Sequence, residues 1–163
     1  MGQQKDGRGN VCPVTIILPT LAMEAKQWID CYEFQNEGAK ESYLINYFMQ
    51  LLSAAINDAK DMLLERFNYI CSQNPESAKF MYENGVLAGY DSKEGIISAM
   101  RHGTLAIGQL GLAETLQILI GYNQTTERGM ALAKRIEQTF KDHADAYKEQ
   151  YKLNFGVYYT PKI

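Results

Sequence analysis

Residues 103–116, GTLAIGQLGLAETL, constrain this chain more than any other stretch. Arg101 and His102 precede Gly103 and supply the cations favoured at a helix C-terminus, so a helix is expected to end there. Residues 104–107 are short, apolar and partly β-branched, which predicts a buried strand. Gly108 and Gly111 then predict a tight turn, and residues 112–120 have the apolar density of a packed helix. Strand, glycine turn and helix N-terminus together leave free backbone N–H groups beside an approachable chain. That arrangement suits an anion or the edge of a nucleotide. The plainer reading is a close-packed connection whose glycines stand where no side chain fits. Spacing alone leaves both readings open.

The rest of the chain supplies what such a strand needs on either side. Residues 11–18 form a near-continuous apolar run, as in a strand covered on both faces, with Pro13 and Pro19 near its ends. A first helix is expected over 21–32. A long amphipathic helix follows over 37–72, with Leu44, Phe48, Leu51, Leu52, Ala55, Ala59, Met62, Leu63, Phe67 and Ile70 recurring at three- and four-residue steps. Asn74-Pro75 ends it, and residues 76–83 give a short helix stopped at Asn84-Gly85. Residues 86–90 read as a connector with an aromatic tip. Asp91 and Glu94 then have the spacing of a capping box ahead of Ile96, Ile97 and Met100. Thr125 or Thr126 caps a second long helix, whose inner stripe is Met130, Ala133, Ile136, Phe140, Ala144, Tyr147 and Tyr151. Residues 156–160 are a last β-prone run. The order of strand, helices, strand, helices, strand predicts an α/β chain of parallel strands joined by helical crossovers, in a single domain over 1–163.

Composition narrows the function. Of 163 residues, 46% are hydrophobic, enough for a substantial core, and the net charge is −3. With no clustered Lys or Arg, the chain has no surface for nucleic acid. No apolar run approaches the ~20 residues of a membrane span. Residues 1–9 are polar and glycine-rich, unlike a secretory signal, so a cytoplasmic location is expected. Cys12, Cys31 and Cys71 are odd in number and widely spaced, neither a disulfide framework nor a zinc pattern; Cys12 reads as a buried thiol. No metal-ligand cluster, nucleophile elbow or phosphate loop with its lysine is present. Of the two histidines, His102 reads as a helix-end residue and His143 as solvated. Glu114, one turn into its helix, is assigned to capping or packing. Asn10, at a loop–strand junction, has an amide that donates and accepts at once, suited either to substrate hydroxyls or to its own backbone in a turn.

Three stretches carry a resemblance. GTLAIG over 103–108 with GLAETL over 111–116, GRGNVCPVTIILPTLA over 7–22, and YKLNFGVYYTP over 151–161 resemble, in the same order, segments of the class III anaerobic, glycyl-radical ribonucleoside-triphosphate reductases. The resemblance implies a segment of that family's ten-stranded barrel, with short parallel strands alternating with long helices. It implies that Asn10 orients substrate, and that Gly103, Thr104, Leu105, Ala106, Ile107, Gly108, Gln109, Leu110 and Gly111 bound the substrate pocket, the turn offering N–H groups to phosphate. In the family a protein glycyl radical passes to a cysteine, ATP and dATP act as effectors, and a radical-SAM activase installs the radical. No cysteine precedes Gly7, and the family's glycyl-radical motif is absent, so this stretch is expected to be inactive alone and to need the remainder of the reductase as its partner. No further cofactor is expected in the segment itself. Uncovered strand edges at 14–18 and 105–107 are expected to drive self-association. Two other readings stay open: a segment of another glycyl-radical enzyme of the pyruvate formate-lyase type, and a helical interaction module without an active site.

Overall fold

The computed structural model describes residues 9–84, 86–87 and 89–159. Gly7, Arg8, Gly85, Thr160 and Pro161, which figured in the motifs and stops above, lie outside the described residues. Three strands, β1 (Asn10–Ile17), β2 (Thr104–Leu110) and β3 (Asn154–Tyr159), form one parallel sheet in the order β1-β2-β3. β2, expected to have an open edge over 105–107, is the central strand, hydrogen-bonded on both sides. Its predicted end at Ile107 is also too early. The strand continues through Gly108, Gln109 and Leu110, so Gly108 belongs to the ladder and only Gly111 to the turn.

Between β1 and β2 run α1 (Leu18–Ile29) and α2 (Glu37–Ser72), then a 3-10 turn (Pro75–Ala78), α3 (Lys79–Glu83) and α4 (Ile97–Met100). α5 (Leu112–Ile120) and α6 (Glu127–Tyr151) join β2 to β3. α1 starts three residues before the predicted 21–32, because Pro19 occupies its first turn, where a missing N–H costs nothing, rather than closing the strand. α2 matches the periodicity over its whole length. Asn36 caps it by accepting from the Ala39 N–H at 2.8 Å. Its buried stripe is Leu44, Phe48, Leu52, Ile56, Ala59, Leu63 and Phe67, while Met62, expected inside, is exposed. α6 is capped by Thr126, whose hydroxyl accepts from the Gly129 N–H at 3.0 Å. Its inner side buries Leu132, Ala133, Ile136, Phe140, Ala144 and Tyr147, with Met130 outside.

These stripes meet one face of the sheet. Cys12, Ile16, Leu105, Ile107 and Phe155 form a single core with the helices, each large side chain contributing roughly 1.5–3 kcal/mol by its removal from water. α3 and α4 carry a smaller cluster of Tyr82, Ile96 and Ala99. The capping box expected at Asp91 does not form. The Asp91 carboxylate accepts instead from the Lys93 N–H at 2.8 Å, closing a local turn. Glu94 pairs with Arg101, and the helix begins only at Ile97. Among the described residues no helix is long and apolar enough to cross a membrane.

Candidate functional site

Side chains alternate across a strand, so β2 divides the predicted pocket residues in two. Leu105, Ile107 and Gln109 point into the helices, and all three are buried. Leu105 and Ile107 belong to the hydrophobic core. Thr104, Ala106, Gly108 and Leu110 lie on the other face, over which no helix packs among the described residues. On that face the register sets Asn10, Thr104 and Asn154 in one row, Pro13, Ala106 and Gly156 in the next, and Thr15, Gly108 and Tyr158 in the third.

The first row is polar. The Asn154 amide donates to the Thr104 hydroxyl at 3.2 Å. Asn10 reaches the row through an irregularity in β1: the register steps from Asn10↔Thr104 to Cys12↔Leu105, leaving Val11 as the extra residue. A bulge of this kind re-aims a side chain. Without it Asn10 would share the helix side with Cys12. Val11 packs over the bare α-carbon of Gly103, and the Thr104 N–H donates to the Gly9 carbonyl at 2.7 Å, so the bulge is fixed at both ends. Asn10 is exposed, and no hydrogen bond holds its amide to another described residue.

The middle row is a floor of small side chains, and the third row is closed by an aromatic ring. Tyr158 lies flat across Gly108, with its ring edges 2.7 Å from where a Cβ would stand. It reaches β1, where its hydroxyl and that of Thr15 are 2.7 Å apart. The sheet face is thus bounded by Asn10, Thr104 and Asn154 at its head and by the Thr15–Tyr158 pair farther along. Asn154, Thr15 and Tyr158 were not foreseen, since only the register shows that they share a face with Asn10.

The Gly111 turn is at the far end. Gly111 has φ 82° and caps α5 without a side-chain hydrogen bond, Pro19 packs against it, and its carbonyl accepts from the Thr115 hydroxyl at 2.8 Å. Six strand steps separate Thr104 from Leu110, about 20 Å. Asn10 and this turn therefore do not converge on one ribose. Glu114, in the first turn of α5, stands where its charge favours the helix dipole.

The titratable groups nearby are not tuned for chemistry on this face. Cys12 is buried on the helix side, where burial pushes its thiol up despite the neighbouring Arg66. Burial likewise raises Cys71. His102 is half-buried beside Gly89, and no hydrogen bond joins its ring to α4 carbonyls among the described residues. His143, expected in solvent, is half-buried and stacked on Tyr147 with centroids 5.9 Å apart. Among the described residues no group of His, Cys, Asp and Glu could hold a metal ion.

Three parallel strands, with the helices on one face and a polar-headed, small-floored second face, define an α/β chain. The chain belongs to the anaerobic ribonucleoside-triphosphate reductase family, whose model matches residues 1–162. The anaerobic ribonucleoside-triphosphate reductase of Escherichia coli (strain K12) is 24% identical over 168 residues, covering 98% of this chain and 21% of the relative. That of Salmonella typhimurium matches to the same extent. The fold is similar to that of a part of the anaerobic ribonucleotide reductase from Thermotoga maritima. The structure with glycerol in the active site superposes with a TM-score of 0.64 at 19% identity, over 93% of this chain and 21% of that one. The structure with dATP in the specificity site gives 0.64 at 19%, over 91% and 22%. The chain spans about a fifth of the length of the curated relatives it matches.

Proposed function

We propose that this chain forms a substrate-facing wall in an anaerobic ribonucleoside-triphosphate reductase, the enzyme that converts ribonucleotides to deoxyribonucleotides by glycyl and thiyl radical chemistry. The carrying observation is the row Asn10, Thr104 and Asn154, aligned across three strands at the head of the uncovered face. Two carboxamides and a hydroxyl in one row donate and accept at once, which is what the vicinal hydroxyls of a ribose require. Ala106 and Gly156 form a small-residue floor between the polar row and the Thr15–Tyr158 pair, whose ring lies across Gly108 and bounds the face. The N–H groups of the first turn of α5 are a separate, anion-directed end of the same wall.

The thiol chemistry does not fit this face. Cys12 is buried among the helices, its thiol held protonated, and no described residue on the open face is a cysteine. The work of these residues is to bind, orient and exclude water. The open sides of β1 and β3 are where further barrel strands, or a second copy of the chain, add by backbone pairing. The rest of the reductase and its activase are the implied partners.

The test is Asn10→Ala in the reductase assembled with this segment. Loss of hydrogen bonds to the sugar should lower kcat/KM for a ribonucleoside triphosphate by about tenfold. Stability should be unchanged, because Asn10 is exposed. An unchanged kcat/KM would refute the assignment.

A further inference from the structure

The hairpin of α1 and α2 encloses a second feature, on the helix layer and away from the sheet face. A cavity of about 530 Å³ is lined by the rings of Trp28, Tyr32, Phe34, Tyr43 and Tyr47, together with Glu33. Its size falls in the range of small-molecule sites. The local sequence builds it. Trp28 stands in the last turn of α1, Tyr32 and Phe34 come from the connection that follows, and Tyr43 and Tyr47 stand four residues apart near the start of α2. Phe34 and Tyr47 pack against the core, but core packing does not account for Trp28, Tyr32 and Tyr43, which are all more than half exposed.

We propose that this cavity is a binding site for an organic cation, an alkylammonium or a guanidinium group. Ring orientation is the first reason. Trp28 and Tyr32 are inclined at 56°, Phe34 and Tyr43 at 41°, with centroids 5.7 and 5.3 Å apart. Neither pair forms the two parallel faces with a gap between them that a flat base needs, whereas a compact cation needs only one accessible ring face. The one near-parallel pair, Trp28 and Tyr47 at 26° and 6.1 Å, is already in contact with itself. Charge is the second reason. Glu33 is the only charged residue lining the cavity. The neighbouring Lys40 is drawn away by its ion pair with Asp30 at 2.9 Å. A phosphate or carboxylate would find no cation there, and a cation finds a carboxylate and five rings.

Trp28 is the only tryptophan in the chain, so its fluorescence reports on the site directly. The 163-residue chain is titrated with choline, with N-acetyl-arginine amide, with the neutral choline isostere 3,3-dimethyl-1-butanol, and with adenosine, at constant ionic strength. A saturable change with choline or the arginine derivative is expected, about tenfold tighter than with the neutral isostere. Preference for choline identifies a methylated ammonium as the ligand chemistry, and preference for the arginine derivative a guanidinium presented on a peptide. Glu33→Gln and Tyr43→Ala, both at exposed positions, should each weaken the response several-fold with an unchanged far-ultraviolet circular dichroism spectrum. The proposal is overturned if neither cation gives saturation, if the isostere or adenosine binds as tightly, or if both variants bind as the parent chain does.

Discussion

Replacing Gly111 with alanine separates backbone strain from steric crowding at the turn that launches α5. Gly111 sits at φ 82° and ψ 35°, a region that costs an L residue about 1–2 kcal/mol. The added Cβ would also stand 2.5 and 2.6 Å from Cγ and Cδ of Pro19. Those atoms belong to a rigid ring in the first turn of α1, so the ring cannot swing aside without moving the helix. Overpacking of this kind costs about 1–3 kcal/mol. Gly111→Ala should therefore destabilise the chain by about 3.5 kcal/mol, taking the two costs at mid-range.

Pro19→Ala provides the decisive arm. Removing the ring opens the space the new methyl needs but leaves φ positive. In the double variant the crowding cost should vanish and the conformational cost remain, giving a coupling of about 1–3 kcal/mol between two residues that are 92 apart in sequence. Urea unfolding, followed by circular dichroism and Trp28 fluorescence, measures all four corners of the cycle. Additive effects, with coupling under about 0.5 kcal/mol, would show that Pro19 does not press on Gly111 and that the strand-to-helix turn is built differently.

Other perturbations test the interior. Gln109 is 2% exposed, and its amide nitrogen and oxygen have no hydrogen-bond partner among the described residues, so Gln109→Met should stabilise the chain by about 1–2 kcal/mol in urea unfolding; a loss of stability would mean that the amide is satisfied. Burial lowers the pKa of His143, with Asp142 opposing. The unfolded state then binds the proton more readily, so stability should fall as pH drops below about 6.5, the ordinary histidine value, toward the lower folded value. His143→Gln should flatten that part of the pH profile, and an unaltered profile would refute the assignment. Lys60, 8% exposed, lies 2.8 Å from the Asp61 carboxylate and over the rings of Tyr147 and Tyr151. Lys60→Ala should destabilise by about 1–2 kcal/mol through lost stem packing and cation–π attraction, whereas an unchanged midpoint would show that the enclosure contributes nothing.

Which features could be read in the sequence follows from how far each one's cause lies along the chain. α2, bounded by Glu37 and Ser72, was legible to the residue because its causes are local: Asn36 caps one end, Asn74-Pro75 blocks the other, and apolar steps of three and four run between. The same holds for α5, and the start of α6 was legible to within the pair Thr125 and Thr126, of which Thr126 is the cap. Pro19 misled because proline is as much at home in a helix's first turn as at a strand's end, and only its packing on Gly111 decides. Asp91 misled in the opposite sense, since the helix its spacing announced is too short to be worth capping. The site lies further out of reach. Gly108 read as a turn glycine, yet its missing side chain answers to Tyr158, fifty residues on, lying across it. Asn10 was identified by resemblance to a family, and its setting was not. That setting needs a bulge at Val11, a partner in Thr104 and a second amide in Asn154, each supplied by a different strand. Parallel pairing brings these together only after two helical crossovers are in place. The sheet face proposed to meet substrate is therefore a property of register, written in long-range contacts that hydrophobic periodicity does not encode.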